Sequence, residues 1–277
     1  MTTHILRIDC RDRPGLIHTI TGALFRHSFN IVSNSEFVDR ERDRFLMRTE
    51  FAGSEDPAGA MEELTRTLPP AAHIHLARPG NRDIVVLATR EPYCPAELLI
   101  RHQFGELQTN VRAIISNYDV LEPLARQFGV PFHHVSHEGA ERAEHEAALR
   151  ECIARYEPEY IVLAKYMRVL SPDFVAAFPE RIINIHHSFL PAFVGASPYR
   201  QAFERGVKMI GATAHFVTND LDEGPIIAQD IVPVDHTHSA ADMAHAGHDV
   251  EKIVLARALR LVVEERVFVS GRRAIIL

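Results

Sequence analysis

The sequence predicts a two-domain α/β protein, and three observations carry that reading. The first stretch, to about residue 78, alternates strand and helix signals in the order βαββαβ. From residue 83 onward, short apolar runs are separated by helical stretches, the pattern of a parallel sheet covered on both faces. At 277 residues the chain also exceeds the usual single-domain size. The division is expected between 1–79 and 80–277, with the turn-rich ARPGNR as linker.

Each element of the first domain follows from a local pattern. HILRIDC (4–10) alternates apolar and polar residues as a half-buried strand does. In DRPGLIHTITGALFRHS, Pro14 reads as a first-turn residue of a helix whose apolar face is Leu16, Ile17, Ile20, Leu24 and Phe25. NIVSNSEFVD and RFLMRTEFAG form an antiparallel hairpin through the charged turn RERDR. A helix over about 57–68 and the strand AHIHLAR complete a split βαβ unit, four antiparallel strands with two helices on one face. In the second domain DIVVLAT, VRAIISN, PFHHV, YIVLAKY and IINIHH are successive strands. MIGATAHFVT and PIIAQDIVPV then form an antiparallel pair, and SAADMAHAGHDVEKIVLARALRLVVEERV a long closing helix.

Composition excludes several classes of function. The chain is 46% hydrophobic and 24% charged, with no apolar run near the ~18 residues of a membrane span. The N-terminus lacks the apolar core of a signal peptide. A net charge of −7 argues against nucleic acid as partner and permits an anionic small molecule. Cys10, Cys94 and Cys152 are scattered and form no CxxC pair, so neither a disulfide framework nor a zinc site is expected, and a cytoplasmic home is. Histidines cluster at His133, His134 and His137, at His236 and His238, and at His245 and His248, but without a motif such as HExxH; no metal is expected.

The chemistry concentrates in NIHHSFLP (184–191), where an apolar strand ends on an amide and two imidazoles. In an open α/β sheet, ligands bind beyond the carboxyl ends of the strands. Asn184 and His186 are one residue apart, so their side chains share a side of the strand, and two donors there can hold a carbonyl oxygen as it gains charge. His187 is expected to point to the opposite side. The missing carboxylate is offered by LDEGP, where Asp222 precedes Gly224-Pro225. Spacing leaves two readings of each: an electrophilic pair or a strand cap, an orienting carboxylate or a turn residue. His215, on the strand MIGATAHFVT, reads either as a substrate contact or as a packed core histidine. Lys165 and Arg168 read as a solvated basic surface, with attraction of an anionic tail as the alternative.

These residues carry a resemblance. NIHHSFLP, GASPYRQAF and GATAHFVTNDLDEGPIIAQ, with AKYMRVLSPDF (164–174), resemble the Rossmann-like formyltransferase fold that handles 10-formyltetrahydrofolate, in this order and over most of residues 83–277. The resemblance implies a catalytic trio of Asn184, His186 and Asp222: the first two polarise the formyl carbonyl, the third orients His186 and relays protons. It places Met167, Arg168, Val169, Leu170, His215, Val217 and Thr218 against the folate, and it needs neither metal nor further cofactor.

CRDRPGLIHTITGALFRHSFNIV resembles an ACT domain, a small ligand-sensing module. An ACT domain ahead of such a domain resembles the formyltetrahydrofolate deformylases, which give the formyl group to water. That implies formate for purine synthesis and a balance of one-carbon folate pools; the alternative is transfer to an amine such as an amino nucleotide or amino sugar. The His-His form, where many transferases have His-Pro, points the same way. Where glycinamide ribonucleotide transformylases carry a Gly-Ser-Asn phosphate loop, this chain reads TREPYCPAELL, and Pro92 and Pro95 lack two N–H donors. Tyr93 and Tyr118 stand where the deformylases tend to have histidine. In the ACT-like unit, Asp12, Arg13, Gly15 and Asn30 are candidate contacts for an amino-acid effector, against a purely structural loop. Such units pair through their sheets, so a homo-oligomer, dimer or tetramer, is expected.

Overall fold

The computed structural model describes residues 2–54, 56–77, 80–191 and 198–277. Arg78 and Pro79 of the expected linker, and residues 195–197 of GASPYRQAF, lie outside the described residues. The chain divides into two compact units: Met1–Gly80 with Glu265–Phe268 and Ile275–Leu277, and Asn81–Glu264 with Val269–Ala274. No described helix is long and apolar enough to cross a membrane.

The first unit runs β1 (Thr2–Arg11), α1 (Leu16–Arg26), β2 (Asn30–Asp39), β3 (Arg44–Gly53), α2 (Ala58–Thr67) and β4 (His73–Ala77). Its sheet has the order β2-β3-β1-β4, every pair antiparallel. Leu6, Ile8 and Cys10 of β1 point one way and pack with Ile20 and Leu24 of α1, Phe51 of β3 and Leu64 of α2, so both helices cover one face. One detail differs from the sequence reading. Helix α1 begins at Leu16, behind Gly15, whose φ of 87° is the left-handed conformation glycine adopts without strain. Pro14 therefore precedes the helix rather than forming its first turn.

The second unit continues β5 (Arg82–Ala88), α3 (Tyr93–Gln103), β6 (Thr109–Ser116), α4 (Glu122–Gln127), β7 (Phe132–His134), α5 (Arg142–Ala154), β8 (Tyr160–Leu163), α6 (Pro172–Ala176), β9 (Ile182–His186), α7 (Pro198–Arg205), β10 (Met209–Phe216), β11 (Ile226–Pro233) and α8 (Ala240–Val263). The sheet order is β11-β10-β9-β8-β5-β6-β7. Strands β5 to β9 pair in parallel, while β10 runs antiparallel to both β9 and β11. The chain leaves β5 toward β6 and β7, then returns to β8 on the other side. The ends of β5 and β8 are thus a topological switch point, where open α/β sheets leave a crevice.

The closing helix is shorter than its apolar pattern suggests. A capping box between Ser239 and Asp242 starts it, and it ends at Val263, just before Glu265 with a left-handed φ of 59°. A hairpin of β12 (Val267–Ser270) and β13 (Arg273–Ile276) follows, which the sequence pattern did not reveal. Glu265–Phe268 joins the first unit through side chains: Arg7 Nη1 meets Glu265 Oε2 at 2.8 Å, and Arg7 Nη2 donates to the Val267 carbonyl at 2.7 Å. The same guanidinium lies 4.3 Å from the Phe268 ring centroid. The sequence pattern alone assigns residues 265–277 wholly to the second domain.

Candidate active site

Strand β9 carries two polar side chains into its end, and its partner β10 supplies a third. Asn184 pairs directly opposite His215 in the antiparallel ladder, which brings their side chains to one face. Asn184 Nδ2 lies 3.2 Å from His215 Nε2, and His215 Nδ1 lies 2.9 Å from the Phe216 carbonyl oxygen. A carbonyl only accepts, so Nδ1 carries the proton and Nε2 of the neutral ring is an acceptor. The NH2 end of the Asn184 amide must then face His215, and its second N–H is left for the cavity beside it. Burial lowers the His215 pKa, against the Phe216 carbonyl and Asp222, which raise it, so the neutral ring is favoured.

Asp222 reaches the same place from the turn between β10 and β11. His186 Nδ1 lies 3.3 Å from Asp222 Oδ1, and His215 Nε2 lies 3.7 Å from the same oxygen. Desolvation pushes the Asp222 carboxyl up, but the His186 hydrogen bond and the neighbouring imidazoles outweigh it and hold its pKa below the ordinary value. Gly224 explains why the turn lies so close. A Cβ there would fall 1.7 Å from the Phe216 carbonyl oxygen, so only glycine lets the turn pack on β10. Phe216 N–H donates to the Pro225 carbonyl at 3.0 Å and completes the attachment. His186 Nε2, in contrast, is buried and makes no hydrogen bond within the described protein.

A cavity of about 400 Å³ opens over this cluster. All ten residues singled out from sequence as catalytic or folate-contacting line it: Asn184, His186, Asp222, Met167, Arg168, Val169, Leu170, His215, Val217 and Thr218. Met167, Val169 and Leu221 are exposed, an apolar rim suited to a flat ring. The loop bearing Met167–Leu170 is pinned: Arg142 donates to the Val169 carbonyl at 2.8 Å, and Glu146 accepts from Ser171 N–H at 2.8 Å.

Two residues of this region depart from expectation. His187 does not point away from His186; the strand has ended, strand alternation no longer applies, and the two rings stack with centroids 5.1 Å apart. Burial, with the nearby Lys165 and His186 charges, pushes its pKa down to about 3, so it is a neutral wall of the cavity. Lys165 is not a solvated cation: its side chain is 4% exposed, with Nζ 3.0 Å from Glu251 Oε2 on α8. Its left-handed φ of 62° was not legible from sequence.

In the first unit, the four candidate effector residues separate. Asn30 lines an open concavity with His18, Thr21, Gly22, Phe25, Phe29 and Ile31. Asp12, Arg13 and Gly15 are not part of it; Asp12 N–H donates to the Asp43 carbonyl and Arg13 to the Thr67 carbonyl, both contacts of a loop tied to its own fold. Among the described residues, no group of three or more His, Cys, Asp or Glu side chains is placed to hold a metal ion.

Comparison with known proteins places the two units in families. The formyl transferase family matches residues 82–259, and the ACT domain matches residues 4–68. The chain is 53% identical over 273 residues to a formyltetrahydrofolate deformylase of Escherichia coli strain K12, covering 99% of this chain and 98% of that one. A crystal structure of a formyltetrahydrofolate deformylase from Pseudomonas syringae pv. tomato superposes with a TM-score of 0.95 at 36% identity, covering 99% and 94% of the two chains. A glycinamide ribonucleotide transformylase from Symbiobacterium toebii superposes with a TM-score of 0.69 at 36% identity, covering 72% of this chain and 96% of that one.

Proposed function

Because the chain belongs to the formyl transferase family, and within it to the formyltetrahydrofolate deformylases, we propose that it hydrolyses 10-formyltetrahydrofolate to formate and tetrahydrofolate. The full-length likeness favours this over transfer to an amine, since the transformylase likeness covers only 72% of the chain. The observation that carries the mechanism is the convergence of Asn184, His186 and Asp222 on one cavity.

The geometry supports a role for each group. The free N–H of Asn184 and Nε2 of His186 bracket the formyl oxygen, and they bind it more tightly as it becomes an oxyanion. In the imidazolium form both ring nitrogens of His186 donate, Nδ1 to Asp222 and Nε2 to the oxyanion. Water adds to the formyl carbon, and Asp222 accepts its proton directly, since the imidazolium has no free lone pair to take it. The tetrahedral intermediate collapses as N10 takes a proton; the C–N10 bond breaks, and formate and tetrahydrofolate leave. The exposed Met167 and Val169 pack on the pterin, and Arg168 faces the anionic tail. No metal or further cofactor enters the reaction as proposed.

The ACT match supports a small-molecule effector, of amino-acid type, at the first unit. β2 and β4 are its edge strands, so a second copy can add to that sheet and give a dimer or tetramer. The three cysteines are buried and unpaired, in keeping with the reducing cytoplasm. Incubation of the purified protein with 10-formyltetrahydrofolate, without any amine, is expected to release formate. Formate at the level of the enzyme-free blank would overturn the hydrolase reading.

A further inference from the structure

The crevice at the β5/β8 switch point is where an open α/β sheet offers space to a second reactant. Here that space holds an internal ion cluster. Lys165, two residues past the end of β8, projects its ammonium to Glu251 of α8 at 3.0 Å and to Glu91, after β5, at 3.5 Å. Glu251 is 1% exposed, and its other oxygen accepts from the Tyr199 hydroxyl of α7. His248, one turn before Lys252 on α8, sets Nε2 3.5 Å from Glu91 and stacks on Tyr93, ring centroids 4.4 Å apart.

Two backbone features show that the cluster is built at some cost. Lys165 adopts a left-handed φ of 62°, a conformation that disfavours a residue with a Cβ, so its side chain must supply what glycine would not. Gly247 lies within α8, where glycine weakens a helix; a Cβ there would fall 2.1 Å from the Tyr199 hydroxyl. The glycine makes the room by which Tyr199 reaches Glu251.

Lys165 also lines the catalytic cavity together with His186, His187 and Asp222. A buried carboxylate beside a formyl carbon is what an incoming primary amine needs, because it anchors the amine and takes its proton. In this chain the buried carboxylate of Glu251 is already occupied, by the ammonium of a lysine that lines the cavity. We propose that Lys165, clamped by Glu251 and Glu91, determines the acceptor: its ammonium fills the place of an attacking amine and leaves water as the nucleophile. The ammonium cannot itself be formylated, since its nitrogen lone pair is held in an N–H bond. This inference rests on the hydrolase reading and names the residues that bias it toward water.

The test removes the internal cation. In Lys165→Gly the backbone keeps a conformation glycine favours, and Glu251 is freed for a small amine. Glycinamide is the probe, because it is a short primary amine. Its nitrogen would add to the formyl carbon, the C–N10 bond would break with a proton passing to N10, and N-formylglycinamide and tetrahydrofolate would form. The unaltered protein with 10-formyltetrahydrofolate and glycinamide is expected to yield formate alone by mass spectrometry. In Lys165→Gly, and in Lys165→Ala beside it, the ratio of N-formylglycinamide to formate is expected to rise at least ~10-fold. Ratios in both variants equal to that of the unaltered protein would overturn the proposal, as would ready formylation of glycinamide by the unaltered protein. Absence of formate from the unaltered protein is a separate outcome, which overturns the hydrolase reading instead.

Discussion

Asn184 and His215 face each other across the β9–β10 ladder, amide nitrogen to ring nitrogen at 3.2 Å. In the proposed mechanism this contact decides which end of the amide meets the formyl oxygen. With His215 donating to Phe216 from Nδ1, its Nε2 only accepts, and the Asn184 oxygen is turned away from it. The proposed oxyanion donor is thus oriented by its neighbour on the adjoining strand.

Replacing Asn184 by alanine is therefore expected to lower kcat by about 10²–10³-fold, the usual effect of losing one oxyanion donor. KM for 10-formyltetrahydrofolate should change little, since the donor acts mainly on the transition state. A rise in KM with kcat unchanged would place Asn184 in ground-state binding only.

Asp222→Asn keeps the shape of the turn and removes the charge beside His186. A loss of about 10²–10⁴-fold in kcat is expected from a group that moves the proton of water. Steady-state formate release is the measurement, and near-normal kcat would remove Asp222 from the proton path.

Gly224→Ala tests how the carboxylate is placed. Its Cβ would sit 1.7 Å from the Phe216 carbonyl oxygen, so the turn must shift. Such overpacking costs about 1–3 kcal/mol. Melting temperature and kcat should fall together, because the turn that moves also carries Asp222. Unchanged values of both would show that β10 and the turn yield without consequence.

His187 gives the protein a pH signature. Its folded pKa of about 3 lies below its ordinary 6.5, chiefly through burial. Between those values the unfolded chain binds a proton that the folded chain does not, so stability is intact above 6.5 and declines as pH falls toward 3. The slope is about 1.4 kcal/mol per pH unit for a single such group. His215, also depressed, adds in the same direction. Urea unfolding of His187→Gln across this window should show a shallower decline than the unaltered protein. Parallel declines would refute the assignment.

Much of this arrangement was legible in the sequence because it is local. Strand alternation places Asn184 and His186 on one side, and Gly224-Pro225 marks the turn, feeding the next strand, that carries Asp222. What was hidden depends on partners far apart in the chain. Lys165 reads as a surface cation until Glu251 arrives from α8, and nothing in the sequence pairs Arg7 with Glu265. The direction of His187 was missed for a different reason. Period-two alternation holds only inside a strand, and β9 stops one residue too early.

The partnership of Arg7 with Glu265, Val267 and Phe268 has a consequence for the order of synthesis. A ribosome makes residues 2–77 before the seven-stranded sheet, yet part of the unit they belong to follows every strand of that sheet. The N-terminal module thus waits, with a β1 guanidinium and its ring contact unfilled, until residues 265–268 are made. Its closure needs residues 265–268, so products truncated before Glu265 carry an unfinished N-terminal module.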